Sequence, residues 1–200
     1  VPAFIFVATQ NAGKLGELQQ LFAESGIAVE RYAGYGDVEE TADSYVGNAE
    51  LKARALAARL RADGVEAAAL GDDSGLEVTA LGGRPGIYSA RFGGPGLTWA
   101  QRRDLLRREM DASGSADRSA RFVCALVYVA PDGEETAVQC DYRGSIAEVD
   151  RGQAGFSYDP LFVDPVSGLT FAELDEREKN RISHRGLAVA ALLRSLQAPA

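Results

Sequence analysis

An apolar run that passes directly into two adjacent carboxylates constrains this chain more than any other feature. Ala67-Ala68-Ala69-Leu70-Gly71 leads into Asp72-Asp73, and Ser74-Gly75 follow at once. The apolar part predicts a buried strand. On this reading the strand ends in a paired acid and a Ser-Gly turn, which puts hard oxygen ligands at a strand's carboxyl end, where open α/β sheets bind ligands. Two adjacent Asp repel each other unless positive charge lies between or beside them. A divalent cation answers that need. Mg²⁺ suits it because it accepts carboxylate oxygens and keeps its other positions for waters and substrate phosphates. An acidic turn with no metal accounts for the same residues, so the pair alone leaves both readings open.

The segments on either side supply cations. Phe4 to Ala8 is a continuous apolar run, a buried first strand, and it feeds Thr9-Gln10-Asn11-Ala12-Gly13-Lys14. Leu15, Leu18, Leu21 and Phe22 then share a helical face, with Asn11 as the expected N-cap. A small polar turn at a helix start offers backbone N–H groups to a phosphate, although the spacing is not that of a Walker A motif; an ordinary capped helix fits equally. Glu17, one turn beyond Lys14, is placed to orient its ammonium. Ile27 to Tyr32 predicts a short strand, and residues 34–43 a loop carrying Glu40, a third candidate acid. A long helix is expected from Ser44 to Asp63, with Asn48 and Lys52 on one face. After the acid pair, Leu76 to Leu81 reads as a short strand. Gly82-Gly83-Arg84-Pro85-Gly86 is too rich in Gly and Pro for regular structure. Arg84 and Arg91 flank this loop, beside Tyr88 and Ser89, and guanidinium groups grip phosphate oxygens in pairs.

Thr98 is expected to cap a helix reaching Met110, and Arg121 to Ala130 with Glu135 to Ile146 reads as a hairpin about Pro131-Asp132-Gly133. Phe156, Ser157, Tyr158 and Asp159 suggest a platform on which a flat ring stacks, with a carboxylate for its edge; aromatic core filler beside a turn is the plainer reading. Near the end come Lys179 and then Ser183-His184-Arg185, with Ser183 as N-cap of an Ala/Leu-rich helix to about Leu196. Two cationic side chains in a helix's first turn oppose its dipole, and such rule-breaking marks sites.

Composition enters where it excludes. The 200 residues suit one α/β domain spanning 1–200, or two closely joined lobes. A net charge of −8 argues against general nucleic-acid affinity, so an anionic ligand must be met by locally gathered cations. Of 21 basic residues only Lys14, Lys52 and Lys179 are lysine. Arg is the default cation here, so a retained lysine suggests a crowded point-charge role. With His184 the only histidine, a His-rich zinc site is excluded. Cys124 and Cys140, equidistant from Asp132, are expected as two thiols in a reducing compartment. No apolar run approaches a membrane span, and the opening Val-Pro-Ala-Phe-Ile-Phe-Val-Ala-Thr lacks the basic flank of a signal peptide. A cytoplasmic protein without a membrane or nucleic-acid partner is expected.

Taken together, Thr9 to Lys14, Glu40, Asn48 to Arg54, Asp72 to Gly75, Gly82 to Arg91, Phe156 to Pro160, Lys179 and Ser183 to Arg185 resemble the inosine triphosphate pyrophosphatase family, in family order over nearly the whole chain. One departure is Ser157, where the family commonly has Gly. The resemblance implies a long twisted mixed sheet flanked by helices, two lobes with a nucleotide cleft between them, and a homodimer. It implies hydrolysis of ITP, dITP and XTP to the monophosphate and pyrophosphate. In that frame Glu40, Asp72 and Asp73 hold Mg²⁺, Asp73 serves as base, and Lys14, Lys52 and Arg91 neutralise the phosphates. Thr9, Gln10, Asn11, Ala12, Gly13 and Ser74 line the substrate, Phe156 stacks on the base with Ser157 and Tyr158 beside it, and Asp159, Lys179, His184 and Arg185 read its edge. A nucleotide-binding module without turnover, and a pyrophosphatase for modified pyrimidines, are the alternatives.

Overall fold

The computed structural model describes residues 2–36 and 38–197. Val1, the first residue of the expected opening segment, and residue 37, within the expected loop, lie outside the described residues, as do the last three residues of the span read as one domain. Six strands hydrogen-bond in the order β2-β1-β3-β4-β5-β6. They are β1 (Phe4–Ala8), β2 (Ala28–Arg31), β3 (Ala68–Val78), β4 (Ser119–Val129), β5 (Glu135–Ile146) and β6 (Phe162–Val163). The sheet is mixed: β1 runs parallel to β2 and β3, and β6 antiparallel to β5. The helices are α1 (Ala12–Ala23), α2 (Tyr45–Ala62), α3 (Trp99–Ala112), α4 (Glu176–Ile182) and α5 (His184–Gln197). This is the mixed α/β architecture that the sequence leads one to expect.

The chain forms two compact units, the first comprising residues 1–73, 124–140 and 184–200 and the second residues 74–123 and 141–183. In the first unit, Ile5 and Val7 of β1, Leu18 and Phe22 of α1, Leu70 of β3, Leu126 of β4 and Val189 and Leu192 of α5 make one apolar core. Asn11 caps α1 as its sequence predicts, accepting from the amides of Gly13 (2.9 Å) and Lys14 (3.1 Å). Ser44 caps α2. Helix α2 lies directly against β3 at Gly71, where a Cβ would stand 2.0 Å from the carbonyl oxygen of Ala49 and 2.9 Å from the amide of Ala53.

In the second unit, Leu76, Val78, Leu106, Phe122, Phe162 and Phe171 centre the core, with Phe122 and Phe171 stacked at 5.9 Å. Thr98 and Gln101 close a capping box on α3. Buried Arg102 of α3 donates to the carbonyls of Phe92 and Gly94, fastening the glycine-rich segment that precedes the helix.

Three expectations are corrected here. The predicted Ser74-Gly75 turn does not exist, because β3 runs unbroken for 11 residues through Asp72, Asp73, Ser74 and Gly75. Gly75 serves close packing: a Cβ there would stand 2.2 Å from the carbonyl oxygen of Gly86. The expected strand to Leu81 stops at Val78, where a 3-10 turn (Thr79–Leu81) takes over, and the loop running on from Gly82-Gly83-Arg84-Pro85-Gly86 to Arg91 is not wholly irregular, since a second such turn, Gly86–Arg91, begins at its Gly86. Its Ser89 hydroxyl accepts from the amide of Leu76 (2.8 Å) and donates to Gly86 O (2.6 Å), which ties the loop to β3.

Candidate active site

Consecutive side chains of a strand point to opposite faces. Since β3 continues through the acid pair, Asp72 and Asp73 cannot share one ligand set as a turn would allow, and the structure gives them separate partners. The parallel pairing of β1 with β3 ends at Ala8 and Gly71, so the acids begin where β1 leaves the sheet for α1. That places Lys14, in the first turn of α1, against Asp72.

Asp72 is 1% exposed. Its Oδ1 receives Lys14 Nζ at 2.5 Å and its Oδ2 receives Arg185 Nε at 2.9 Å. Cys124 Sγ lies 3.7 Å from Oδ2. Burial opposes the charge of Asp72, but Lys14 and Arg185 outweigh it and hold the carboxyl far below its ordinary range. Arg185, 2% exposed, also reaches Glu17 through Nη1. Burial works against its charge, and Asp72 with Glu17 more than compensates. Glu17 therefore orients Arg185, 168 residues away, and not Lys14 as its helical spacing suggests. The Cys124 thiol is pushed well up by burial and then by Asp72, so it stays protonated. Cys124 and Cys140 are both free thiols.

Asp73 belongs to a second group. Asn48 Nδ2 donates to its Oδ2 (3.2 Å), and Lys52 Nζ stands 3.4 Å from its Oδ1 and 3.1 Å from the carbonyl oxygen of Asp72. The same ammonium contacts Glu40 Oε1. Lys52 is 8% exposed; burial disfavours its charge, yet Asp73 and Glu40 raise its pKa overall. Asp73 shifts the other way from its neighbour. Burial raises it, and Glu40 and Asp72 add to that against the pull of Lys52 and Lys14.

Among the described residues no three His, Cys, Asp or Glu side chains gather as a metal-ligand group. Asp72 does not fit the role expected of it, since both its oxygens are engaged by cations. Glu40 and Asp73 do fit: their oxygens converge on one ammonium, and a small hard cation needs only one or two carboxylates from the protein.

The other expected phosphate-side residues are mostly committed to local structure. The amides of Gly13 and Lys14 are spent on the Asn11 cap and are not the open donors predicted. Thr9 Oγ1 accepts from Asn11 N (3.1 Å), Gln10 is held by Arg31 and by the carbonyl of Tyr35, and Ala12 opens α1. Ser74 sits half-buried within β3. Arg91 lies 4.9 Å over the ring of Tyr88, and Arg84 pairs with Glu109 at 2.9 Å.

The second unit holds the aromatic group. Lys179 of α4 and Asp159 form an ion pair of 2.6 Å, their side chains 6% and 5% exposed. The ammonium lies 5.2 Å from the centroid of Phe156 and 5.9 Å from that of Phe171. Asp159 Oδ2 also accepts from the amide of Phe156 (2.8 Å). The turn is anchored below by Tyr158, whose hydroxyl donates to Ser89 O (3.0 Å) and whose ring meets Trp99 edge-on at 5.5 Å. Helix α4, capped by Asp175, has no counterpart in the sequence reading, which placed no element around Lys179 ahead of the Ser183 cap. Ser183 stands immediately before α5 with extended backbone, and His184 opens that helix, 4% exposed. Arg185, for which an edge-reading role was expected, directs its Nε to Asp72 and its Nη1 to Glu17.

A mixed α/β chain that carries a cation-locked Asp beside a second Asp that shares one lysine with a glutamate has the makings of a phosphate-handling enzyme. It belongs to the Ham1 family, whose model matches residues 5–195. It is 44% identical over 191 residues to a dITP/XTP pyrophosphatase of Geobacillus kaustophilus, covering 94% of this chain and 91% of that one. The one from Gluconobacter oxydans is 46% identical over 191 residues, at 94% and 88% coverage. Among solved structures, a HAM1 protein from Coxiella burnetii matches with a TM-score of 0.85 and 37% identity over 96% of this chain and 98% of that one. A nucleoside-triphosphatase / dITP/XTP pyrophosphatase from Mycobacterium abscessus matches with a TM-score of 0.70 and 40% identity, at 97% and 100% coverage.

Proposed function

We propose that this chain hydrolyses noncanonical purine nucleoside triphosphates (dITP, ITP and XTP) to the monophosphate and pyrophosphate, cleansing the nucleotide pool of the cytoplasm. The observation that carries the reading is the contrast between neighbouring acids. Asp72 is held ionised by Lys14 and Arg185, while Asp73 has its carboxyl raised. Acid and base roles divide where environments push two carboxyls apart in this way. Asp73 takes the proton of a water whose oxygen bonds to the α-phosphorus; the anhydride bond to the β-phosphate breaks, and pyrophosphate carries the electron pair away. Lys14 and Lys52, with Arg91, offset the charge that develops. Glu40 and Asp73 would hold Mg²⁺, which supplies further neutralisation of the phosphates.

Phe156 is the platform for the base, and the Lys179–Asp159 pair reads its edge. A 6-keto purine offers an acceptor at position 6 and an N–H at position 1, matching an ammonium donor and a carboxylate acceptor. Adenine offers an amino group and a bare nitrogen instead, so neither protein group gains a hydrogen bond from the ring edge in return for the water it gives up, at roughly 1–3 kcal/mol each. The active species is proposed to be a homodimer, which light scattering tests.

The test is pyrophosphate release with Mg²⁺ from ITP, XTP, GTP, ATP and dUTP at equal concentration. ITP and XTP turn over rapidly and ATP hardly at all. GTP shares the 6-keto edge and adds a 2-amino group, so its rate reports what the pocket does at that position. Asp73→Asn loses turnover and still binds ITP; undiminished turnover by this variant refutes the assignment of the base. Chelation stops release and added Mg²⁺ restores it.

A further inference from the structure

Among the described residues, Ser157 is the one non-glycine residue with positive φ, at 59°. An L-residue with a Cβ adopts that left-handed conformation only against a steric penalty. It persists where the surroundings over-determine it. Ser157 lies between Phe156 and Tyr158, so its backbone sets the direction in which the Phe156 ring and the Asp159 carboxylate are presented. What over-determines it is Arg103 of α3. Arg103 Nη1 donates to the carbonyl oxygen of Ser157 at 2.7 Å, and its Nε donates to Asp150 Oδ2 at 2.7 Å. Asp150 Oδ1 in turn receives Arg107 Nη1 at 2.5 Å. The Arg103 side chain is only 13% exposed. A planar guanidinium clamped on one edge by a carboxylate has its other donors fixed in direction, so the peptide after Ser157 is held by a rigid, charge-assisted bond.

We propose that Arg103, locked by Asp150, is a positioning residue that holds Ser157 in the left-handed conformation and thereby sets substrate affinity at the Phe156–Asp159 platform. It rests on the reading of that platform as the base site. It differs from general packing in one respect: the need for Arg103 depends on residue 157 being something other than glycine. Glycine adopts φ near +60° without penalty, so a Ser157→Gly chain keeps the turn without the clamp.

Arg103→Ala, Arg103→Lys, Ser157→Gly and the double variant Arg103→Ala/Ser157→Gly test this. Amide hydrogen exchange is followed at Phe156 and Asp159, whose N–H groups are bonded within the turn to Asp159 Oδ2 and Phe156 O. KM and kcat for ITP are measured alongside. Arg103→Ala speeds exchange at both amides and raises KM about tenfold, the scale of one charge-assisted hydrogen bond. Its kcat stays within about twofold, since the phosphate machinery is untouched. Arg103→Lys falls between, because a lysine reaches Ser157 O or Asp150 but does not fork between them. The double variant recovers most of the lost affinity. Unchanged exchange in Arg103→Ala, or a double variant no better than Arg103→Ala alone, overturns the proposal. If wild-type protein does not turn over ITP, the base-site reading fails, and the exchange rates still decide whether Arg103 holds the turn.

Discussion

Replacing Gly71 with Ala tests whether the placement of α2 on β3 assembles the Asp73 group. The added Cβ would stand 2.0 Å from Ala49 O, and ordinary contact begins at 3.4 Å. Helix and strand must therefore separate by about 1.4 Å, the difference between those two distances, because both obstructing atoms belong to the backbone of α2 and cannot rotate away. Helix α2 carries Asn48 and Lys52, whose bonds to Asp73 and to Asp72 O span 3.1–3.4 Å. Lengthened by that amount they cease to be hydrogen bonds. Overpacking costs roughly 1–3 kcal/mol, and the lost bonds about 1 kcal/mol each. The sum, roughly 4–6 kcal/mol, is comparable with the smaller total stabilities of folded domains. A displacement of this size at a catalytic group lowers rate by about a hundredfold or more. The assay pairs urea unfolding with pyrophosphate release at a urea-free, low temperature where the variant remains folded. Gly16→Ala is the control: nothing lies within 4 Å of a Cβ there, and the substitution sits in a helix where it meets no neighbour, so stability rises by about 0.4–1 kcal/mol with activity intact. If Gly71→Ala unfolds and turns over like wild type, the dependence of the acid cluster on α2 is refuted.

Lys179→Met leaves the buried Asp159 carboxylate without its cation and lowers stability by about 3–5 kcal/mol, read from the urea midpoint; addition of Asp159→Asn recovers part of the loss, and a double variant as unstable as the two losses added together would count against the pair. Tyr142 donates to Asp164 Oδ1 at 2.6 Å, and burial followed by that bond pushes its pKa up to about 12. A raised tyrosine pKa means the neutral form is favoured on folding. Its contribution is complete below pH 10, the ordinary tyrosine value, and fades as pH rises toward 12. Ultraviolet titration should show a late-ionising tyrosine that Tyr142→Phe removes, together with a flatter fall of stability over that interval; an unchanged late step assigns it elsewhere.

Much of this was legible because the relevant chemistry is local. Asn11, Ser44 and Thr98 announce their helices by capping chemistry confined to three or four residues. The apolar run before Asp72 and the Pro131-Asp132-Gly133 hairpin are equally self-contained. The acid pair was legible as a site but not in its arrangement. Gly75 reads as a turn from sequence, yet glycine serves close backbone approach as readily, and only the position of Gly86 decides between them. Once β3 is continuous, strand alternation divides Asp72 from Asp73, and a shared metal set for all three acids no longer follows. Glu17 illustrates a different limit: its helical neighbour Lys14 is obvious, whereas Arg185 lies far along the chain. Ser157 stood out as a departure from its family, but the sign of its φ, and the arginine beneath it, belong to tertiary structure.

The retention of lysine at only three positions has a consequence for chemical labelling. Each ε-amino group lies in an ion pair: Lys14 with Asp72, Lys52 with Glu40 and Asp73, Lys179 with Asp159. Acetyl donors, succinimidyl esters and aldehydes react with the unprotonated amine, and arginine side chains are inert to them at neutral pH. On most proteins such reagents scatter over a lysine-rich exterior and reveal little. Here lysine acylation has nowhere to go except the groups proposed to meet the phosphates and the base. Each acyl adduct erases a charge that a buried carboxylate depends on, so mass addition by acyl reagents and loss of activity should rise together. Coupling the protein to a support through its lysines would for the same reason attach it by the proposed site, and carboxylate chemistry on the acidic exterior is the gentler route.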